Sequence, residues 1–187
     1  MMTRQPLELL APAKNVDIGI EAILHGADAV YIGGPNFGAR EEAANAFKDI
    51  ERLTAFAHRY NARVYLTLNT IVSDSEINEA VRIAWQAYES GVDALIVQDM
   101  GILEMPLPPI QLHASTQCDV RSPAKAQFLE SIGFSQIVLA RELNLEEIQS
   151  CYRALKNARI EYFIHGALCV SYSCLLYTSP SPRDISG

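Results

Sequence analysis

Short apolar segments alternate with helical patterns along most of this chain, and that alternation limits the folds it can adopt. Strands that alternate with helices form parallel sheets, because each helix carries the chain back to the edge where the next strand starts. We expect seven strands, at residues 7–10, 29–32, 63–68, 94–97, 110–112, 136–139 and 160–164.

Two architectures fit seven parallel strands: a closed eight-stranded TIM-type (β/α) barrel and an open doubly wound sheet. We favour the barrel, because its units are short and regular and no Gly-x-Gly-x-x-Gly follows the first strand. Seven strands leave the eighth unit missing, so we expect residues 1–173 to be an incomplete N-terminal barrel domain.

Polar side chains follow nearly every expected strand, at the positions where barrel enzymes place their chemistry. His113, Ser115 and Gln117 come after the fifth strand and predict a pocket for a small anionic or carbonyl substrate. The alternative is a loop whose hydroxyl groups only cap local backbone. Arg141 and Glu142 predict an anion clamp beside a general acid or base, or else a salt bridge at the rim.

Three further positions, Asn69, Asp99 and His165, complete the set of polar candidates after the strands. Asn69 and Asp99 either bind substrate or cap the next element. His113 and His165 are expected to donate or accept protons, and Arg141 to hold a carboxylate through bidentate hydrogen bonds.

Charge and cysteine content narrow the functional classes. The formal net charge of −7 disfavours nonspecific binding of nucleic acid, which needs a basic surface. No apolar run reaches about 20 residues, so we expect neither a membrane span nor a membrane partner. A cytoplasmic location is the default, and the four cysteines are then thiols or metal ligands rather than disulfides.

The stretch from Glu161 to Cys169 has the order Glu-x-Phe-x-x-Gly-Ala-Leu-Cys and resembles the collagenase-like peptidase family U32. Four other stretches agree with that family: Leu-Glu-Leu-Leu-Ala-Pro-Ala from residue 7, His-Gly-Ala-Asp-Ala-Val-Tyr-Ile-Gly-Gly from 25, Val-Gln-Asp-Met-Gly from 97 and His-Ala-Ser-Thr-Gln-Cys from 113.

The resemblance implies RNA hydroxylation rather than proteolysis, and is strongest to members that form 5-hydroxycytidine in large-subunit ribosomal RNA. It implies prephenate as a small anionic co-substrate and an iron–sulfur cluster on four cysteines, of which Cys169 matches the first. Ribosomal RNA would be contacted through a missing C-terminal region. The alternatives are a peptidase and a non-catalytic barrel partner.

The family pattern stops at Ser173. Position 174 should be glycine and is Cys174, and position 176 should be cysteine and is Leu176. We therefore interpret residues 174–187 as a foreign tail. Residues 1–173 carry one family cysteine where a cluster needs about four, so we expect this chain neither to hold the cluster nor to be active alone.

Overall fold

The structure, a computed structural model, describes residues 7–38 and 45–166, and within these ranges seven strands alternate with five α-helices. The strands are β1 Leu10–Ala13, β2 Ala29–Gly33, β3 Arg63–Leu68, β4 Ala94–Val97, β5 Gln111–Ala114, β6 Gln136–Val138 and β7 Arg159–Glu161. The helices are α1 Val16–Leu24, α2 Phe47–Arg59, α3 Ile77–Glu89, α4 Pro123–Ser131 and α5 Leu145–Ala154.

The strands form one sheet in chain order, β1-β2-β3-β4-β5-β6-β7. The β1–β2, β2–β3, β5–β6 and β6–β7 pairs are parallel. A doubly wound sheet reverses its strand order at a switch point, whereas barrel units follow one another in sequence. The expected fold class, a TIM-type (β/α) topology with seven parallel strands, is therefore confirmed.

The chain divides into two compact units, and the boundary falls within β4. The first unit comprises the residues up to Leu68 together with Val72–Leu95 and Met105–Ile110. The second comprises Asn69–Ile71, Ile96–Glu104 and the residues from Gln111 onward.

The first unit is held by close packing of α1 on α2. Asn15 caps α1, because its side chain accepts a hydrogen bond from the Ile18 amide at 3.0 Å. A Cβ at Gly19 would lie only 2.9 Å from Leu53 Cδ1, so the two helices can approach this closely only with glycine there. Leu53 is fully buried, as are Ile32 and Leu66 of the sheet.

A buried tyrosine joins β3 to the segment before β1. The Tyr65 hydroxyl donates to Glu8 Oε1 at 2.8 Å, and Arg63 Nη1 donates to Glu8 Oε2 at 3.0 Å. Burial, followed by the hydrogen bond to Glu8, raises the pKa of Tyr65 well above its usual range. The phenol therefore stays neutral and remains a hydrogen-bond donor at any ordinary pH.

In the second unit, α4 packs against β6; Ile137 of β6 is fully buried, as is Leu139 directly after it. The loop between α5 and β7 is fixed by Glu130 of α4. Its carboxylate accepts hydrogen bonds from the backbone amides of Lys156, Asn157 and Ala158 at 2.6–3.1 Å. These bonds set where β7 begins.

The first and last strands differ most from the expectation, and β2, β5 and β6 differ from it by one or two residues. The first strand covers Leu10–Ala13 rather than residues 7–10, and its pairing with β2 starts at Leu10 and Ala29. Leu9 precedes it: the Leu9 amide donates to the Asp28 carboxylate, and the Leu9 carbonyl accepts from the amides of Asp28 and Ala29. The last strand is three residues long, matching the three residues of β6 that pair with it, so it ends at Glu161. Ile164 is 85% exposed, and the expectation of a buried strand there was wrong.

Within the two described ranges, no helix combines the length and apolar character needed to cross a bilayer.

Replacing Tyr65 by Phe removes a buried hydrogen bond to a carboxylate. We expect the free energy of unfolding at pH 7 to fall by about 1–3 kcal/mol, measured by urea denaturation. Tyr60→Phe is the matched control, because Tyr60 is exposed and stacks on Phe56. Equal stability losses in the two variants would contradict the proposed contribution of the Glu8 bond.

The hydrogen bonds from the backbone amides of Ala158, Asn157 and Lys156 lower the pKa of Glu130. A lowered pKa in the folded state stabilises the protein above the unfolded-state value, and this contribution is lost as pH falls through the folded value. Glu130→Gln should therefore show a shallower stability loss than the unsubstituted chain between about pH 5 and pH 3. Thermal melts across that range test this, with exposed Glu104→Gln as the control.

Candidate functional site

All the predicted site residues that the structure describes belong to the second unit. His113 was expected after the fifth strand and instead lies within β5, whereas the other candidates each lie after a strand. The segment after β5 is fixed by backbone bonds to β4. The Ser115 amide donates to the Val97 carbonyl at 2.8 Å, and the Ser115 hydroxyl accepts from the Gln117 amide at 3.1 Å. These bonds start a short 3₁₀ helix, Thr116–Cys118.

Asn69 lies beside this turn. Its Nδ2 atom donates to the Ser115 hydroxyl at 3.4 Å, a long hydrogen bond. The structure thus brings Asn69, Ser115 and, through its backbone, Gln117 together. Asp99 caps the 3₁₀ helix Met100–Glu104, because its Oδ1 atom accepts from the Gly101 amide at 2.8 Å.

Cys118 is a buried structural thiol. Its Sγ atom donates to the carbonyls of Val97 and Gln98 at 3.5 and 3.7 Å. Burial raises the pKa of Cys118 to about 11, so almost no thiolate forms at neutral pH. A thiol without thiolate character is neither a nucleophile nor a ready metal ligand.

Two buried amide oxygens stand out at the same strand ends. In the described part of the chain, Gln98 Oε1 and Gln117 Oε1 are buried without a hydrogen-bond partner. Gln117 is only 6% exposed. Leaving such an acceptor unpaired costs about 1–3 kcal/mol. Sequence reasoning identified Gln117 and missed Gln98, although Gln98 directly follows β4 as the other candidates follow their strands.

Arg141 and Glu142 have different partners. The Arg141 guanidinium lies over the Phe163 ring, 4.7 Å from its centroid. Glu142 Oε1 accepts from Arg121 Nη2 at 3.1 Å, and Arg121 Nε donates to Asp119 Oδ1 at 2.6 Å. Arg121 and Phe163 were not among the predicted residues, and nothing in their sequence spacing from residues 141 and 142 would have indicated these contacts.

The two candidate histidines lie in different environments. His113 is 2% exposed on β5, whereas His165 is exposed beyond the end of β7. His113 is in register with Gln136 of β6, whose Nε2 atom donates to Glu161 Oε2 at 2.7 Å. Neither Gln136 nor Glu161 was predicted as a site residue.

The described residues do not fit an iron–sulfur cluster. Among them, no group of three or more His, Cys, Asp or Glu side chains could hold a metal ion. Their free cysteines, Cys118 and Cys151, are both buried, and burial raises both pKa values. Cys169, the predicted cluster ligand, lies outside the described residues, as does the predicted foreign tail 174–187.

Fold and site together define an α/β protein of (β/α)-barrel topology with polar residues gathered after its strands. Residues 14–186 match the model of peptidase family U32, and the chain belongs to that family. The match continues past Ser173, and the assignment of residues 174–187 to a foreign tail stays a prediction.

Two curated relatives and one solved structure illustrate the similarity. The chain is 62% identical to the 23S rRNA 5-hydroxycytidine C2501 synthase of Escherichia coli (strain K12), over 92% of this chain and 26% of that protein. It is 34% identical to tRNA hydroxylation protein P1 of Bacillus subtilis (strain 168), over 98% of this chain and 44% of that protein. The chain thus spans between a quarter and a half of the length of these relatives.

The structure of the U32 peptidase Mk0906 aligns with a TM-score of 0.69 at 15% identity, covering 87% of this chain and 70% of that one. At this identity the likeness shows the fold alone, and it agrees with the strand order described above.

Because Cys118 and Cys151 are buried, we expect both thiols to react slowly with alkylating reagents. With a pKa of about 11, roughly a thousandth of Cys118 is thiolate at pH 8. Both thiols should resist iodoacetamide in the native chain and react fully in denaturant, as peptide mass mapping would show. Rapid native labelling of Cys118 would contradict the structural role assigned to it.

Proposed function

We propose that this chain is the N-terminal part of an RNA-base hydroxylase that forms 5-hydroxycytidine in large-subunit ribosomal RNA. The observation that carries the proposal is the 62% identity to the Escherichia coli synthase over 92% of the chain. The similarity to a tRNA hydroxylation protein over nearly the whole chain supports the broader class.

Within this proposal, Arg141 holds the carboxylate of a small anionic co-substrate, for which prephenate is our candidate. The cation–π contact with Phe163 holds the Arg141 guanidinium over the ring. The N–H groups of a guanidinium lie in its own plane, in the fork that matches a carboxylate. His113 and His165 remain the proposed proton carriers.

The proposal also assigns tasks to the rest of the protein. A net charge of −7 is unsuited to the phosphate backbone of RNA. We therefore place the main contact with ribosomal RNA outside this chain, in the remainder of a longer cytoplasmic protein. The remaining ligands of the iron–sulfur cluster would lie there too and join Cys169 of this chain, since the described residues provide no group of metal ligands.

A chimera tests the function. Residues 1–173 of this chain would replace the aligned N-terminal segment of the Escherichia coli synthase, in a strain lacking that enzyme. Mass spectrometry of 23S ribosomal RNA should then show 5-hydroxycytidine restored to within about tenfold of the unaltered enzyme. The 187-residue chain expressed alone should restore none, because the cluster ligands are incomplete.

The matched control is the same chimera with Arg141→Lys, which keeps the charge and removes the planar fork. We expect its product level to fall at least about tenfold, with partial recovery when the co-substrate concentration is raised. A soluble, folded chimera that forms no 5-hydroxycytidine would overturn the proposed function. Hydrolysis of gelatin by that chimera, at a rate that added RNA does not reduce, would favour the peptidase alternative instead.

A further inference from the structure

Two consecutive residues after β7 contact the loop that follows β6. The Tyr162 hydroxyl lies 2.9 Å from the carbonyl oxygen of Arg141 and 2.9 Å from that of Leu143. The next residue, Phe163, has its ring centroid 4.7 Å from the guanidinium carbon of Arg141. All four residues belong to the second unit. Arg141 is therefore held at two points, its main chain and its charged group.

The Tyr162 hydroxyl reinforces the turn between β6 and α5. Within that turn the Leu143 amide donates to the Ala140 carbonyl at 3.4 Å, which is a long and therefore weak hydrogen bond. The contacts from Tyr162 are shorter. A phenol has one O–H donor, so the hydroxyl donates to one of the two carbonyls at a time or shares its proton between them. Either arrangement restricts the main chain on both sides of residue 142.

The Arg141 guanidinium keeps its N–H groups available for a ligand. Arg63 and Arg121 donate to carboxylates at 3.0 and 2.6 Å. Among the residues that the structure describes, Arg141 has no carboxylate partner, and its guanidinium lies over the ring of Phe163 instead. A cation–π contact is an attraction between the charge and the ring face, so it needs none of the N–H donors. A half-buried guanidinium of this kind is suited to a carboxylate ligand.

We propose that Tyr162 is a positioning residue of the co-substrate site. Its hydroxyl fixes the main chain of Arg141, so that the guanidinium stays over Phe163 and presents its N–H groups to the carboxylate of the small anionic co-substrate. The inference rests on the proposed function, in which Arg141 holds that carboxylate. Tyr162 acts through Arg141 and has no part in the chemical step. The family order Glu-x-Phe leaves position 162 open, so this hydroxyl is not part of the shared pattern.

NMR of the Arg141 side chain tests the positioning without any hydroxylation. In the isotope-labelled 187-residue chain, the nearby ring of Phe163 should shift the Arg141 Nε–H signal away from its random-coil position. Tyr162→Phe keeps the ring and removes the hydroxyl, so the signal should move back toward that position. Prephenate should shift the same signal on titration, and Tyr162→Phe should raise its dissociation constant about three- to tenfold, as expected for one lost hydrogen bond.

Tyr152→Phe is the matched control, because Tyr152 is an exposed tyrosine of α5 in the same unit. It should leave both the Arg141 signal and the dissociation constant of prephenate unchanged. Phe163→Leu should abolish the ring-induced shift, which identifies the signal. Tyr162 is half-buried, so water can reach the two carbonyls once the hydroxyl is removed, and melting curves check that each variant is folded. If Tyr162→Phe does not fold, joint titration of the Tyr162 and Arg141 signals by prephenate in the unsubstituted chain decides the question.

Steady-state kinetics of the chimera separate positioning from a general loss of stability. Tyr162→Phe should raise the KM for prephenate about three- to tenfold and leave kcat within about twofold, because an interaction used equally in the ground and transition states is weakened. A lower kcat at unchanged KM would overturn the proposal. So would an Arg141 signal that does not respond to prephenate or to Tyr162→Phe.

The outcomes distinguish this inference from the proposed function. Prephenate affinity that depends on Tyr162, together with an inactive chimera, would contradict the proposed function and leave the positioning role standing. An active chimera whose KM is insensitive to Tyr162→Phe would contradict the positioning role alone.

Discussion

The register of β5, β6 and β7 is the constraint on which the second unit depends. Side chains alternate between the two faces of a strand, so a shift of one residue would exchange the faces. The observed register pairs the buried Ile137 with Ala114 and aligns Gln136 with His113. The 2.7 Å bond from Gln136 to Glu161 is possible only in this alignment, and it links two neighbouring strands through their side chains.

The turns after the strands divide polar residues into two groups. Asp99 and Ser115 use their oxygens to accept backbone N–H groups, and so they fix the turns in which they lie. Gln98 and Gln117 keep buried carbonyl oxygens that no described group satisfies. The hydrogen bonds of the first group explain how the strand ends are held. Burying the unpaired oxygens of the second group costs free energy that no hydrogen bond among the described residues offsets. Polar character after a strand is therefore a weak sign of function until its local bonds are known.

The sequence was sufficient for the fold because its strongest signals are local. The alternation of short apolar segments with helical patterns predicted the seven strands and their parallel order. Strand ends were less predictable, since β1 and β7 stop where pairing stops rather than where apolarity stops. Partners distant in sequence were not predictable: adjacency suggested Arg141 with Glu142, but Glu142 pairs with Arg121. Gln136 and Glu161 were missed because three-residue strands are too short to show a period of two.

An acidic chain is compatible with RNA modification when affinity for the RNA strand and recognition of a single base are separate tasks. Affinity for RNA comes mainly from cations that neutralise phosphates, and this chain has seven more carboxylates than basic side chains. Recognition of a single base instead needs acceptors and donors at fixed positions, and for cytosine the useful group is an acceptor facing its amino group. A carboxylate placed there would be opposed by nearby phosphates unless the base is moved away from its backbone into a pocket, as enzymes that modify bases generally require.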